Sequence, residues 1–426
     1  MGQTKSKDSA DTEGTDNLSA EFAINDIDIL RRLTENEGPI AMSAYIDARL
    51  NRWKKEQVKF AITGRSATGK STFINKIRNL NPEDDGFAMT GSGDTTITPT
   101  LYIHPTNDQI TFYDLAGYSS TTFKKKDYIS KMKISDYDFV FIFFNNVVSE
   151  DETWLVRELR KMGKPFALVR SKIDVDIDNA KNDSKDLKMI MPEIKGKIKI
   201  ALNANPELKD TKGIFLISSR KPDLGEMSEL MKYVEENIDG FKAQALLFSL
   251  DCITKKIVER KYKMLKKRLV VATALAAGVA AIPVPGVDIA INTVYLLHEL
   301  RHYMSVFGID RERVNSLKGF DHSLLKCRSL LEPNFNMILF LGTKLGTFLA
   351  LALAESVLDL IVPIVGSVIS SVTTAGMTYT FLDDMLQDIK DDAVLLHEHI
   401  MKTNANLSET PNKLDDCIAA EHLVLM

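Results

Sequence analysis

Cysteine is scarce: three residues in 426, Cys252, Cys327 and Cys417, far apart and without a CxxC pair. That excludes a disulfide framework and a cysteine-built zinc site, and it suits a reducing compartment. Charge of one sign is lacking too. The formal net charge is −4, so there is no basic surface of the kind a nucleic-acid partner demands, and none is expected. The N-terminal stretch has no apolar core that would make it a secretory signal. Compositional bias is absent: 44% hydrophobic and 26% charged residues describe a globular chain, and its length exceeds one ordinary core, so two domains are expected.

What is present begins at the first residues. Met1-Gly2-Gln3-Thr4-Lys5-Ser6 fits the pattern for N-myristoylation at Gly2. One such chain binds membranes only marginally and needs a second attachment signal. Residues 1–20 read as a flexible leader, and 21–56 as N-terminal helices, with Ala23, Ile27, Leu30 and Leu33 at helical spacing.

From Val58 short apolar runs follow one another: Val58–Ile62, Ile110–Tyr113, Phe139–Phe144, Phe166–Val169 and Ile214–Ile217. Helical segments such as Glu152–Met162 and Asp186–Leu202 separate them. This alternation predicts an α/β domain over 57–240, a mostly parallel sheet with helices on both faces. Past Gly240 the strand signals stop. A C-terminal all-helical domain is expected over 241–403, with a tail at 404–426. Leu269–Val287 and Leu360–Leu382 carry no charge, and each is interrupted by a Pro-Val-Pro-Gly or Pro-Ile-Val-Gly corner. Each therefore reads as two short helices meeting at a turn, either a buried core or a hairpin entering a bilayer. The basic run Lys255–Arg268 in front of the first suits acidic lipids or a solvated helix face.

The chemistry is concentrated in one motif. Gly64-Arg65-Ser66-Ala67-Thr68-Gly69-Lys70-Ser71 fits G-x-x-x-x-G-K-[ST] between a strand and a helix. Residues Gly64, Ser66, Ala67, Thr68, Gly69, Lys70, Ser71 and Thr72 are the phosphate-binding candidates. Glycines allow the chain to turn its N–H groups inward, and the following helix adds its positive end. Lys70 neutralises phosphate oxygens, while the Ser71 hydroxyl is a Mg²⁺ ligand. Asp114-Leu115-Ala116-Gly117 has the D-x-x-G form, with Asp114 holding Mg²⁺ through water and Gly117 reaching the γ-phosphate. Ser171-Lys172-Ile173-Asp174 resembles [NT]-K-x-D. The Asp174 carboxylate can accept from guanine N1–H and the 2-amino group, neither of which adenine offers. The Lys172 stem covers the base, the Ser171 hydroxyl braces the loop, and Ser218-Ser219 closes over the purine. Four motifs at successive strand ends predict GTP or GDP with Mg²⁺ as the ligand. The first switch is expected in Thr90–Thr96, with Thr96 as the second Mg²⁺ hydroxyl and Thr95 and Thr98 as rivals. No glutamine follows the D-x-x-G motif, so hydrolysis by an isolated molecule should be slow, and Asp94 or a partner would position the water.

These residues resemble the interferon-inducible immunity-related GTPases. The resemblance covers about residues 20–402 and rests on the G-x4-G-K-S loop, Thr90-Gly91, Asp-Leu-Ala-Gly followed by Tyr-Ser-Ser-Thr, Tyr137-Asp138-Phe139, Val169–Asp174 and Phe215–Ser218. It implies a Ras-like G domain between N- and C-terminal helices, and GTP hydrolysis promoted by self-association through the nucleotide faces. It also implies action on intracellular membranes, from the cytoplasm, in cell-autonomous defence. Asp94 matches the family's acidic switch residue, one methylene shorter. Arg65 stands where the family usually has Glu, a departure bearing on how the protein is activated. A second reading is a nucleotide-binding membrane scaffold with little hydrolysis.

Overall fold

A computed structural model describes residues 50–89, 98–117, 125–146, 148–184, 186–205, 208–209, 211–280, 287–336, 340 and 371–409, with scattered helical positions from 29 to 48. Gly2, Asp94, Thr95 and Thr96, the tail beyond 409 and both proline corners lie outside the described residues.

The central element is β1 (Val58–Gly64), buried along nearly its whole length. It pairs in parallel with β3 (Asn107–Asp114) on one side and β4 (Phe139–Phe144) on the other. The β4 sequence Phe-Val-Phe-Ile-Phe-Phe is buried at every position, as expected of a strand covered on both faces. Outward lie β2 (Thr100–His104), antiparallel to β3, and β5 (Phe166–Arg170) and β6 (Ile214–Leu216), both parallel. The order is β2-β3-β1-β4-β5-β6.

Alternation assigns each strand's residues to two cores. On one face Phe60, Phe112 and Phe141 meet Phe73 of α1 (Lys70–Arg78), with Phe60 stacked on Phe112 at 5.3 Å and Phe73 against Phe141 at 5.2 Å. On the other face Ala61, Val140, Ile142 and Leu168 meet Leu155, Val156 and Leu159, which belong to α3 (Glu150–Lys161); α2 (Lys125–Lys131) precedes it. Helix α3 starts at a capping box: Ser149 accepts from the Asp151 N–H, and the Ser149 N–H donates to Glu152 Oε2 at 2.7 Å. Further helices are α4 (Ile173–Asn182), α5 (Leu187–Asn203), α6 (Met227–Glu236) and α7 (Gly240–Ser249).

The C-terminal half is helical: α8 (Lys255–Ala280), α9 (Val287–Phe307), α10 (Arg311–Ser316) and α11 (Ser371–Glu409). Its core is continuous with the first face of the sheet, running from Phe60 and Ile74 through Leu246 and Ile257 to Leu386 and Ile389. The basic run on α8 is largely spent within the molecule. Lys255 pairs with Glu398, Lys256 with Glu229 and Arg268 with Glu299; Arg260 pairs with Glu235 and Lys266 with Asp383. Lys261 is buried and donates to the Leu250 and Val306 carbonyls. These pairs join α8 to neighbouring helices, while Lys255, Lys256, Lys263 and Lys267 are all exposed. Among the described residues no helix is long and apolar enough to cross a membrane.

Candidate functional site

After β1 the chain turns aside to β3, then crosses back to β4 on β1's other flank. This reversal opens a crevice at the C-terminal strand ends, where α/β sheets bind nucleotides. The glycine-rich loop lies there. Gly64 has φ 141° and would drive a Cβ into the Phe143 backbone, and Gly69 has φ 91°, both positions that demand glycine. Ala67 (φ 61°) completes the tight turn in the left-handed region. The Lys70 ammonium folds back onto the loop, donating to Gly64 O at 2.9 Å and Arg65 O at 3.0 Å. Thr68 Oγ1 donates to Arg65 O at 2.8 Å. Ser71 and Thr72 occupy the first turn of α1, where N–H groups have no helical acceptor of their own and favour an anion.

The base-side motifs meet this loop directly. The Ser171 hydroxyl donates to the Thr68 carbonyl. It thereby joins the loop after β5 to the phosphate loop and fills the bracing place usually given to Asn or Thr. Lys172 takes a left-handed conformation (φ 64°) as the N-cap of α4, and Asp174 lies buried in that helix's first turn. The Ile173 N–H donates to Ile217 O at 3.2 Å and the Ile217 N–H to Arg170 O at 2.9 Å, so the loops after β5 and β6 are laced together. Ser218 Oγ accepts from the Lys221 N–H at 2.8 Å. Ser219, beside Ser218, is buried and its hydroxyl has no partner among the described residues.

Asp114 ends β3 next to β1, paired in register with Ile62. Gly117 approaches the phosphate loop closely, since a Cβ there would sit 3.7 Å from Gly64 O. The oxygen-only donor set of Ser71 and Asp114, flanking the loop, suits a hard cation such as Mg²⁺.

Sequence reading missed Tyr128. Its buried phenol lies 2.7 Å from Thr63 Oγ1 and donates to Ala116 O at 2.8 Å, tying β1 to the D-x-x-G segment. Burial raises its pKa, so it stays a phenol. An aromatic on the next helix carries no motif, and only the fold brings it in. Arg65, too, proves engaged: its guanidinium donates to Ser149 Oγ at 3.1 Å and Asp151 Oδ2 at 3.3 Å, and Asp151 also holds Lys125 at 2.6 Å.

Fold and site together define a P-loop GTPase. The profile of the interferon-inducible GTPases (IIGP) matches residues 23–327. Among curated relatives, mouse interferon-gamma-inducible GTPase 10 is 29% identical over 74% of this chain and 79% of its own. Rat interferon-inducible GTPase 5 is 32% identical over 61% of this chain and 57% of its own length. Among solved structures, the GTPase Era is 22% identical over 43% of this chain and 57% of its own, with a TM-score of 0.29. The chain belongs to the interferon-inducible GTPase family.

Proposed function

We propose that the chain binds GTP with Mg²⁺ across the crevice, hydrolyses it to GDP and phosphate, and does so on intracellular membranes in cell-autonomous defence. The observation that carries this reading is the Ser171 hydroxyl on the Thr68 carbonyl, which makes the phosphate loop and the purine-reading loop one unit. In this reading the loop amides from Ser66 to Thr72 cradle the phosphates, and Lys70 turns from the loop carbonyls to phosphate oxygens. Asp174 accepts from the guanine edge, Ser171 and the Lys172 stem flank it, and Ser218 and Ser219 close the purine side. Gly117 reads the γ-phosphate. Ser71, Thr96 and, through water, Asp114 would hold Mg²⁺, which would supply positive charge for the β- and γ-oxygens. Asp94 positions the water.

No glutamine follows Gly117, so activation is assigned to self-association: a GTP-state homodimer or oligomer completes the site. Gly2 acylation and the apolar segments supply membrane attachment. Turnover per molecule, measured over a range of protein concentrations with and without liposomes, tests the reading. A specific rate that climbs with concentration supports it. GTP left intact at every concentration would instead favour the scaffold reading.

A further inference from the structure

One ion pair beneath the purine loop, a buried arginine on a half-buried aspartate, has no part in the roles assigned so far. Arg170 is the last residue of β5 and is 7% exposed. Its guanidinium grips Asp176 with both nitrogens, at 2.6 and 3.0 Å, and reaches Asn146 Oδ1 at 3.0 Å. Asn146 follows β4 and Asp176 lies on α4, so one side chain joins two strand ends and the helix that carries Asp174. Between Arg170 and Asp176 the chain passes through Lys172 at φ 64°, a left-handed conformation that costs a non-glycine residue about 1–2 kcal/mol and persists only when its surroundings hold it.

Building on the proposed role of Asp174, we infer that Arg170 is a positioning residue for guanine specificity, acting through Asp176 and Asn146. A bidentate pair fixes direction as well as distance. It therefore sets the rotation of the first turn of α4, and with it the direction of the Asp174 carboxylate one position from Ile173. The other tethers on this loop are single bonds, from the Ser171 hydroxyl to Thr68 O, from the Ile173 N–H to Ile217 O and from the Ile217 N–H to Arg170 O, and none is a bidentate side-chain grip. Arg170 touches no ligand in this scheme; it acts on the base only by aiming the group that does.

The test uses the full-length chain and compares GDP with IDP, which lacks the 2-amino group. The wild type is expected to prefer GDP. In Arg170→Met, and in Asp176→Asn whose partly exposed carboxylate is exchanged for a group of the same shape, GDP loses two aimed bonds and IDP one. The GDP-to-IDP affinity ratio should therefore fall roughly tenfold, the worth of one hydrogen bond to a charged acceptor. The double variant should be no worse than the Arg170→Met variant, because the two residues act as a unit. An unchanged ratio, or equal weakening of GDP and IDP, would reduce the pair to a structural tie and overturn the inference. A wild type that does not prefer GDP would refute instead the assignment of Asp174 to the base.

Discussion

At the scale of single residues the site turns on Ser171. Its hydroxyl satisfies the Thr68 carbonyl in a buried place, so Ser171→Val should leave that carbonyl unpaired and weaken GTP binding about tenfold or more. Ser171→Thr, which keeps the hydroxyl, should bind nearly as the native chain does; nucleotide titration reads both. At Gly69 an added Cβ would stand 2.5 Å from Ser171 Oγ, at φ 91°. Gly69→Ala should therefore displace that hydroxyl and cost about 1–3 kcal/mol, measured as a lowered melting temperature together with lost affinity. Asp174→Asn should exchange GTP for xanthosine nucleotides; unchanged GTP affinity would count against the carboxylate's role. The motif residues were legible because each carries a local requirement: a positive φ, a hydroxyl, a carboxylate at a strand end. Tyr128, Arg170 and the partners of Arg65 were not, since their meaning lies in what the fold places beside them.

At the scale of elements the parallel strands could be read directly, since strands covered on both faces give unbroken apolar runs like Phe139–Phe144. The edge strand β2 could not. Thr100–His104 has Leu101 and Ile103 each 47% exposed while His104 is buried, so its apolar residues face outward and the usual apolar-in, polar-out alternation is inverted. The helices Glu150–Lys161 and Leu187–Asn203 start within two residues of their expected positions, because cap and periodicity agree. The ion pairs of the charge run Lys255–Arg268 were not legible, because sequence shows charges and not their partners. One of those partners gives a test. Arg268 meets Glu299 at 2.6 and 3.0 Å with both side chains buried. Burial alone would push the Glu299 carboxyl up, but the nearby His298 ring and the hydrogen-bonded Arg268 guanidinium hold it down at about 2. Arg268→Met would strand that charge and should destabilise the protein by about 3–5 kcal/mol, read from urea unfolding. The double change Arg268→Met with Glu299→Leu should recover most of the loss, as the stranded charge is gone.

At the scale of the whole molecule the G domain and the helices share one core, so they should unfold together rather than as separate units. Two histidines in or beside that core make the shared stability sensitive to acid. Burial, the larger cause in both, brings His302 down to about 3 and His104 down to about 4, from an ordinary 6.5. Both are therefore neutral in the folded protein down to those values, while the unfolded chain takes up protons below about 6.5. The unfolded state binds more protons throughout that window, so stability is full above it and falls as pH drops. Between pH 7 and 5.5 the two together should remove about 2.5 kcal/mol, and His302→Phe should flatten part of that slope. All of this supports a crevice whose phosphate and purine halves are bound to each other, and the most direct test is calorimetric titration of the full-length chain with magnesium present. GTP and GDP should bind with one site per chain and ATP should bind far more weakly, with all uptake lost in Lys70→Ala. ATP taken up as tightly as GTP, or neither nucleotide taken up, would contradict it.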